Sequence, residues 1–187
     1  AELKKLKSPA YKIASFEINH YPLIEEVAKT KKPTIISTGM SNLKEIDTTI
    51  RAVKRINKNI ALTQCTSSYP CDPKISDIGV IPKFIKRYKM ITGLSDHTNS
   101  IYTSIGAVAL GAKIIEKHFT LNKKEKGPDH ASSLEPHEMK QLVSGCNAVF
   151  DARGDQKKIH RQEKEIISWA RESVVSTQDI GIGDKLT

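Results

Sequence analysis

Two histidines draw attention because each follows a short segment that is typical of a buried strand. His97 lies in SDHT and His118 lies in EKHF, 21 residues further along the chain. If the two strands pair, their axes lie about 4.8 Å apart, so both imidazoles could bind one Mn, Fe, Co or Zn ion. Hydrogen-bonded structural histidines are the alternative. Glu116 shares strand parity with His118 and is expected to face the same interior, as a partner of the histidines or as half of a buried ion pair.

Hydroxyl side chains recur where the other predicted strands end, at Ser15, Ser37, Thr38, Ser67 and Ser95. With Lys12 they could bind phosphate oxygens, although serine and threonine at strand ends also cap helices. The sequence contains no GxGxxG or Walker A loop. Lys12 could instead be a Schiff-base nucleophile if it is buried, as in barrel aldolases. Glu17 could be a general acid or base, or a helix cap.

The elements that would position these residues alternate between strands and helices. Apolar residues at helical spacing predict a helix after each strand, one of them from Pro136 to about Gly154, and a final helix through Ile166 and Trp169. The pattern predicts an α/β fold, either a doubly wound sheet or part of a (β/α)8 barrel, and both place a ligand site at the carboxyl ends of the strands. The predicted strands are Tyr11–Ser15, Thr34–Thr38, Ile60–Thr66, Met90–Asp96 and Lys113–Phe119.

Composition excludes several other classes of protein. The chain has 187 residues, of which 38% are hydrophobic, and it lacks the apolar run of roughly 20 residues that a membrane span needs. Three cysteines without CxxC spacing predict neither a disulfide framework nor a zinc site, which favours a cytoplasmic protein. The net charge is +9, but the lysines are not interleaved with aromatic residues, so we expect no nucleic-acid partner.

Several segments together resemble the N-acetylneuraminate (sialic acid) synthase family, which includes legionaminic and pseudaminic acid synthases and spore-coat polysaccharide enzymes. The segments are YKIASFEI at Tyr11–Ile18, PLIEEVAKTKKPTIISTGMS at Pro22–Ser41, QCTSSYP at Gln64–Pro70, GLSDHT at Gly93–Thr98, GAVALGAKIIEKHFT at Gly106–Thr120 and GPDHASSLEP at Gly127–Pro136. The resemblance implies a TIM-type (β/α)8 barrel followed by a small antifreeze-like domain. This chain would then hold the C-terminal part of the barrel, about five βα units, over residues 1–170. Residues 171–187 would be a linker toward the antifreeze-like domain.

The resemblance also implies an activity and a role for each site residue. The family condenses phosphoenolpyruvate with an N-acetylmannosamine-type sugar to a nine-carbon 2-keto acid and phosphate, as a homodimer. His97 and His118 match its divalent-metal ligands, with Mn²⁺ the expected ion, and Glu17 matches the carboxylate that handles the proton of the attacking water. Lys12, Ser15, Ser37 and Ser95 match the phosphoenolpyruvate contacts, and Tyr69 and Asp129 match the sugar contacts. Ser67 matches a further substrate contact, a position where many members have Asn.

Three further expectations concern the product, the activity of this chain alone and the alternative functions. The motifs favour a neuraminate or legionaminate product over pseudaminate. Since family members also use residues from strands and a domain that this sequence does not contain, we expect the chain alone to be catalytically impaired. The alternatives are a Schiff-base aldolase acting through Lys12 and a non-catalytic remnant that serves as an interaction module.

Overall fold

The computed structural model describes residues 5–185. These residues form two compact units, which divide between Arg153 and Gly154. The predicted boundary after residue 170 stays a prediction. Residues 1–4 of the predicted barrel domain and residues 186–187 of the predicted linker lie outside the described residues.

The first unit contains a parallel sheet of five strands, and each of them lies inside a predicted strand segment. They are β1 (Tyr11–Ile13), β2 (Thr34–Ser37), β3 (Ile60–Cys65), β4 (Thr92–Asp96) and β5 (Ile115–Lys117). A helix follows every strand: α1 (Tyr21–Lys29), α2 (Leu43–Ile56), α3 (Val80–Tyr88), α4 (Tyr102–Ala109) and α5 (Pro136–Ala152). Short 3-10 turns occur at Ser15–Glu17, Pro73–Ile75 and His130–Ser132.

The order of the strands decides between the two predicted architectures. Neighbours in the sheet follow chain order, β1-β2-β3-β4-β5, and all four pairings are parallel. A doubly wound sheet reverses its strand order at a switch point, whereas a barrel adds each new strand on the same side. The α/β class is therefore confirmed, and the arrangement is that of part of a TIM-type barrel. How many of the eight units of a complete barrel the chain holds stays a prediction.

Local sequence explains why the elements begin and end where they do. Asn42 caps α2 by accepting hydrogen bonds from two backbone amides of the first turn, and the Glu45 side chain accepts one from the Asn42 amide. The buried face of α2, with Ile46, Ile50 and Val53, packs against the sheet. Gly111 follows the end of α4 and has a φ of 105°, a backbone conformation that residues with a side chain rarely adopt.

Alternation along the strands separates a helix-facing core from a polar interior. Ile36 and Leu62 are completely buried in the core that the helices cover, together with Ile13. Residues one position away, such as Lys12 and Ser37, face the opposite side of the sheet and line a pocket. The interior of the partial barrel thus receives the polar side chains.

The second unit contains one helix, α6 (Glu163–Ala170), which confirms the last predicted helix. Ile166 and Trp169 on α6 are exposed. Within residues 5–185, no helix combines the length and the apolar character that a membrane span requires.

Candidate active site

A pocket of about 330 Å³ lies on the interior side of the sheet, around the carboxyl ends of the strands. It contains eight of the ten predicted site residues. The structure therefore brings together side chains that are distant in sequence, while the role of each one stays a prediction. The eight residues are Lys12, Ser15, Ser37, Ser67, Tyr69, Ser95, His97 and His118.

Parallel register explains this convergence. Cys65 on β3 is aligned with Ser95 on β4, and Ser95 is aligned with Glu116 on β5. In a parallel sheet, aligned residues point to the same face. The register thus forms a row of polar side chains across three strands, and this row is the floor of the pocket.

One side of the pocket contains an ion pair between the two outermost strands. Lys12 Nζ on β1 lies 2.7 Å from Glu116 Oε2 on β5. Ser95 Oγ donates a hydrogen bond to Glu116 Oε1 at 3.0 Å. Both charged side chains remain partly exposed, at 31% and 41%, so they are accessible to a ligand. Glu116 is thus half of an ion pair, which is one of its two predicted roles, but the prediction that this pair is buried is wrong.

Two hydroxyls of the pocket, Ser15 and Ser67, closely approach Gly39, which follows β2. The Gly39 amide donates a hydrogen bond to Ser15 Oγ at 3.1 Å. A Cβ atom at Gly39 would lie 2.4 Å from Ser67 Oγ and 2.8 Å from Ser15 Oγ. Only glycine leaves space for both hydroxyls. Gly39 is not among the predicted site residues, although its position directly after a strand that ends in hydroxyl residues is a signal for such a role.

The His97 ring is buried and fixed by its neighbours. His97 Nδ1 lies 2.8 Å from the Thr66 carbonyl oxygen, so this nitrogen carries the proton and donates. In the neutral ring, Nε2 then carries the free lone pair, which is the one that can bind a metal ion. Tyr69 packs over the ring with a centroid distance of 4.1 Å.

Cys65 is a pocket residue that the sequence did not indicate as functional, although strand parity places it inside. Its thiol lies 4.0 Å from His97 Nδ1. Burial opposes ionisation of the thiol, but contacts with His97, Ser15 and Ser67 outweigh it and lower the pKa of Cys65. Burial also disfavours the charged ring of His97, yet the contacts with Cys65 and Thr66 raise the pKa of His97.

His118 completes a cluster of three rings. Its ring centroid lies 5.2 Å from that of His97, with the planes nearly perpendicular, and 5.6 Å from that of Tyr69. Asp129 Oδ2 lies 3.7 Å from His118 Nδ1, close enough for an electrostatic interaction. Asp129 itself is not among the residues that line the pocket. Burial, followed by the nearby negative groups, raises the pKa of Tyr69.

Glu17 also lies outside the pocket lining. Strand β1 ends at Ile13, and the chain then forms the 3-10 turn Ser15–Glu17. The alternation of a strand no longer applies there, so parity does not fix the direction of Glu17. Its carboxylate lies 2.7 Å from His20 Nδ1, at the surface.

The two histidines fit a metal ion whose other ligands come from substrate or water. Within residues 5–185, the one group of three possible protein ligands is Glu135, His137 and Glu138, away from the pocket. There Glu138 is already paired with Lys123 at 2.6 Å. Two adjacent imidazoles, one with its tautomer fixed by a backbone carbonyl, are a suitable donor set for a divalent first-row metal.

Comparisons with known proteins concern the family and the fold of the chain. Residues 1–158 match the model of the NeuB family. The chain is 39% identical over 186 residues to N,N'-diacetyllegionaminic acid synthase of Campylobacter jejuni, covering 97% of this chain and 56% of that protein. It is 40% identical over 157 residues to N-acetylneuraminate-9-phosphate synthase of Homo sapiens, covering 83% of this chain and 44% of that protein. The chain thus spans about half the length of the curated relatives it matches.

A solved structure shows the same fold. It is that of N-acetylneuraminic acid (sialic acid) synthetase from Leptospira borgpetersenii in complex with citrate, with a TM-score of 0.84 and 32% identity. The match covers 89% of this chain and 59% of that one. The family model, the relatives and the shared fold together show that this chain belongs to the NeuB family.

Proposed function

We propose that the pocket condenses phosphoenolpyruvate with an N-acetylmannosamine-type sugar to form a nine-carbon 2-keto acid. The methylene carbon (C3) of phosphoenolpyruvate forms a bond with the aldehyde carbon of the open-chain sugar, which leaves an oxocarbenium ion at C2, and the aldehyde oxygen takes up a proton. Water then adds to the resulting oxocarbenium carbon, and release of phosphate leaves the keto group. The observation that carries this proposal is the convergence of Lys12, three buried serine hydroxyls and two imidazoles in one pocket of about 330 Å³.

The lysine side of the pocket suits an anionic substrate. Lys12 offers an ammonium group, and Ser15, Ser37 and Ser95 offer hydroxyl donors from three different strand ends. Charge-assisted hydrogen bonds of this kind are stronger than neutral ones, and phosphate and carboxylate oxygens are good acceptors for them. Phosphoenolpyruvate carries both groups. Because Ser95 already donates to Glu116, binding would exchange this partner for a substrate oxygen.

The histidine side suits the sugar aldehyde. We propose that His97 Nε2 and His118 hold a divalent ion, with Mn²⁺ expected, which when bound supplies Lewis acidity toward a carbonyl oxygen. Thr66 fixes the His97 ring through its carbonyl, and Tyr69 packs over the same ring. These contacts hold the ring in place before substrate arrives, which reduces the cost of orienting the reactants.

Proton transfer to and from the attacking water is proposed for Glu17. Its carboxylate is paired with His20 at the surface, so side-chain rotation out of this pair is part of the proposal. Tyr69 and Asp129, which both lie near His118, are proposed sugar contacts. The proposed product is of the neuraminate or legionaminate type, and a homodimer of the longer protein is the proposed assembly.

The aldolase alternative has less support. A Schiff-base lysine must attack as a neutral amine, and such lysines are typically desolvated or placed beside another cation. Lys12 is instead partly exposed and paired with the Glu116 carboxylate, an arrangement suited to a cation that binds anions.

Binding of phosphoenolpyruvate, measured by isothermal titration with wild type and Lys12→Met, tests the anion site. Loss of a charge-assisted hydrogen bond is worth about 1.5–3 kcal/mol, so we expect the affinity to fall about 10- to 150-fold. Lys83→Met is the matched control, because Lys83 is exposed on α3, and it should bind as wild type does. Equal affinity in wild type and Lys12→Met would overturn the assignment. Borohydride trapping of pyruvate on Lys12 would establish the aldolase instead.

Manganese titration followed by electron paramagnetic resonance tests the metal site. With phosphoenolpyruvate present, we expect saturable binding to wild type and its loss in the His97→Ala, His118→Ala double variant. Addition of N-acetylmannosamine and mass spectrometry of the product then test the reaction. Equal binding of manganese by both proteins would refute the histidine pair.

A further inference from the structure

A buried ion pair lies directly behind the two histidines. Asp96 precedes His97 at the end of β4, Lys117 precedes His118 at the end of β5, and the two are aligned in register. Lys117 Nζ lies 3.1 Å from Asp96 Oδ2, and the side chains are only 2% and 1% exposed. Because neighbours along a strand point to opposite faces, this pair faces the helix layer, opposite the pocket.

Apart from Lys117, the hydrogen-bond donors to the Asp96 carboxylate come from the loop after His97 or from α4. The Thr98 amide donates to Oδ1 at 2.8 Å. Oδ2 accepts from Ser104 Oγ at 2.6 Å and from Thr103 Oγ1 at 3.1 Å. Asp96 therefore attaches the end of β4 to the first turn of α4.

Lys117 reaches from β5 to the same loop. Its ammonium donates to the Thr98 carbonyl and to the Ser100 carbonyl, the latter at 3.0 Å. With the Asp96 contact, these bonds use all three protons of the ammonium. The end of β5 is thereby attached to the chain segment that immediately follows His97.

The backbones of His97 and His118 are not aligned with each other in the sheet. Asp96 and Lys117 form the last aligned pair of β4 and β5. Beyond it, the His97 carbonyl accepts from the Cys71 amide, and the His118 carbonyl accepts from the Leu134 amide. Each histidine backbone is thus bonded to a different loop, and the ion pair is a side-chain link between the last paired residues of the two strands.

We propose that Asp96 and Lys117 are positioning residues that set the separation and orientation of the His97 and His118 rings. In a buried ion pair, the desolvation of the two charges offsets much of their electrostatic attraction, so a protein with an apolar pair of similar volume is often as stable. Directional bonds to fixed partners provide geometry, which an apolar contact does not. The relevance of the pair to metal binding rests on the proposed function, whereas its effect on ring geometry does not.

The test compares two variants with wild type. Lys117→Met removes the cation and leaves the Asp96 carboxylate buried, so we expect a large loss of thermal stability. Asp96→Asn combined with Lys117→Met removes both charges, and we expect it to regain most of that stability. Arg87→Met is the control, since it removes an ion pair between α3 and α2, with Asp47, and neither residue lines the pocket.

Ring geometry is read by NMR without any metal. Wild type and Arg87→Met should show a nuclear Overhauser effect between the His97 and His118 rings, which lie 5.2 Å apart, and a single His97 tautomer in imidazole nitrogen spectra. In the double variant we expect this effect to weaken at least twofold and the tautomers to mix. An unchanged ring effect and tautomer in the double variant would overturn the proposal.

Manganese binding is measured separately on the same proteins. Changes to residues that orient metal ligands typically reduce affinity about 10- to 100-fold, and we expect about tenfold weaker binding by the double variant. Wild-type affinity in this variant would contradict the proposal. If wild type binds no manganese, the proposed metal site fails, and the NMR comparison alone decides whether the pair positions the rings.

Discussion

Replacement of Gly39 by alanine tests how the pocket is packed. The new Cβ would lie 2.4 Å from Ser67 Oγ and 2.8 Å from Ser15 Oγ, whereas ordinary contact begins at 3.4 Å. The hydroxyls must therefore move by about 1.0 Å and 0.6 Å, or the backbone after β2 must shift. Such overpacking typically costs about 1–3 kcal/mol. For a chain of this size, we expect the melting temperature to fall by about 2–12 °C.

Two comparisons make this prediction specific. Gly79→Ala introduces the same methyl group where nothing lies within 4 Å, so its unfolding free energy should stay within about 0.5 kcal/mol of wild type. In a Ser67→Ala background the nearest clash disappears, and Gly39→Ala should cost at least about 0.5 kcal/mol less than in wild type.

Urea unfolding of the four proteins and the double variant completes the cycle. If Gly39→Ala is as stable as Gly79→Ala, or if its cost is the same with and without the Ser67 hydroxyl, the close approach described here is refuted.

Two further predictions concern β4 and α3. Gly93→Ala would place a Cβ 2.3 Å from the Ile114 carbonyl oxygen, which already accepts a hydrogen bond from the Leu94 amide. We therefore expect urea unfolding to show that the free energy of unfolding falls by about 3 kcal/mol or more. A fall below about 0.5 kcal/mol, as for a surface substitution, would contradict this. Burial and the hydrogen bond to Asp47 raise the pKa of Tyr88 from 10 to about 12. Stability should be intact below pH 10 and fall between pH 10 and 12, because only the unfolded state loses the proton there. Asp47→Asn should lower this pKa in an ultraviolet titration, and an unchanged titration would argue against the contact.

The strands could be predicted because their signals are local. The segment IALTQC, for example, is a continuous buried run bounded by polar residues, and β3 occupies it. Parity within a strand also predicted that Glu116 faces the pocket side with His118, and Lys12 was predicted to bind anions there. Parity could not show that they touch, because that contact depends on the curvature of the whole sheet. The Gly39 clash likewise depends on where two other strand ends lie.

Glu17 shows where the parity argument stops. The sequence predicts β1 to Ser15, but the strand ends at Ile13 and a 3-10 turn follows. Pro22 in the first turn of α1 and the short connection to it favour this early turn. A change of two residues at a strand end is small for a fold but large for a side chain, since it changes the direction in which the carboxylate points.

The ion pair between Lys12 and Glu116 has a consequence for how the chain folds. Its partners are 104 residues apart and belong to the first and last strands of the sheet, about 19 Å apart if measured along a flat sheet. Their contact across the concave side forms only once all the intervening strands have paired and bent, so loop closure makes it a late step in folding. A partly folded chain would contain each half of the pocket but not the whole. Any ligand that needs both halves binds only the finished sheet and, by mass action, stabilises all five strands together.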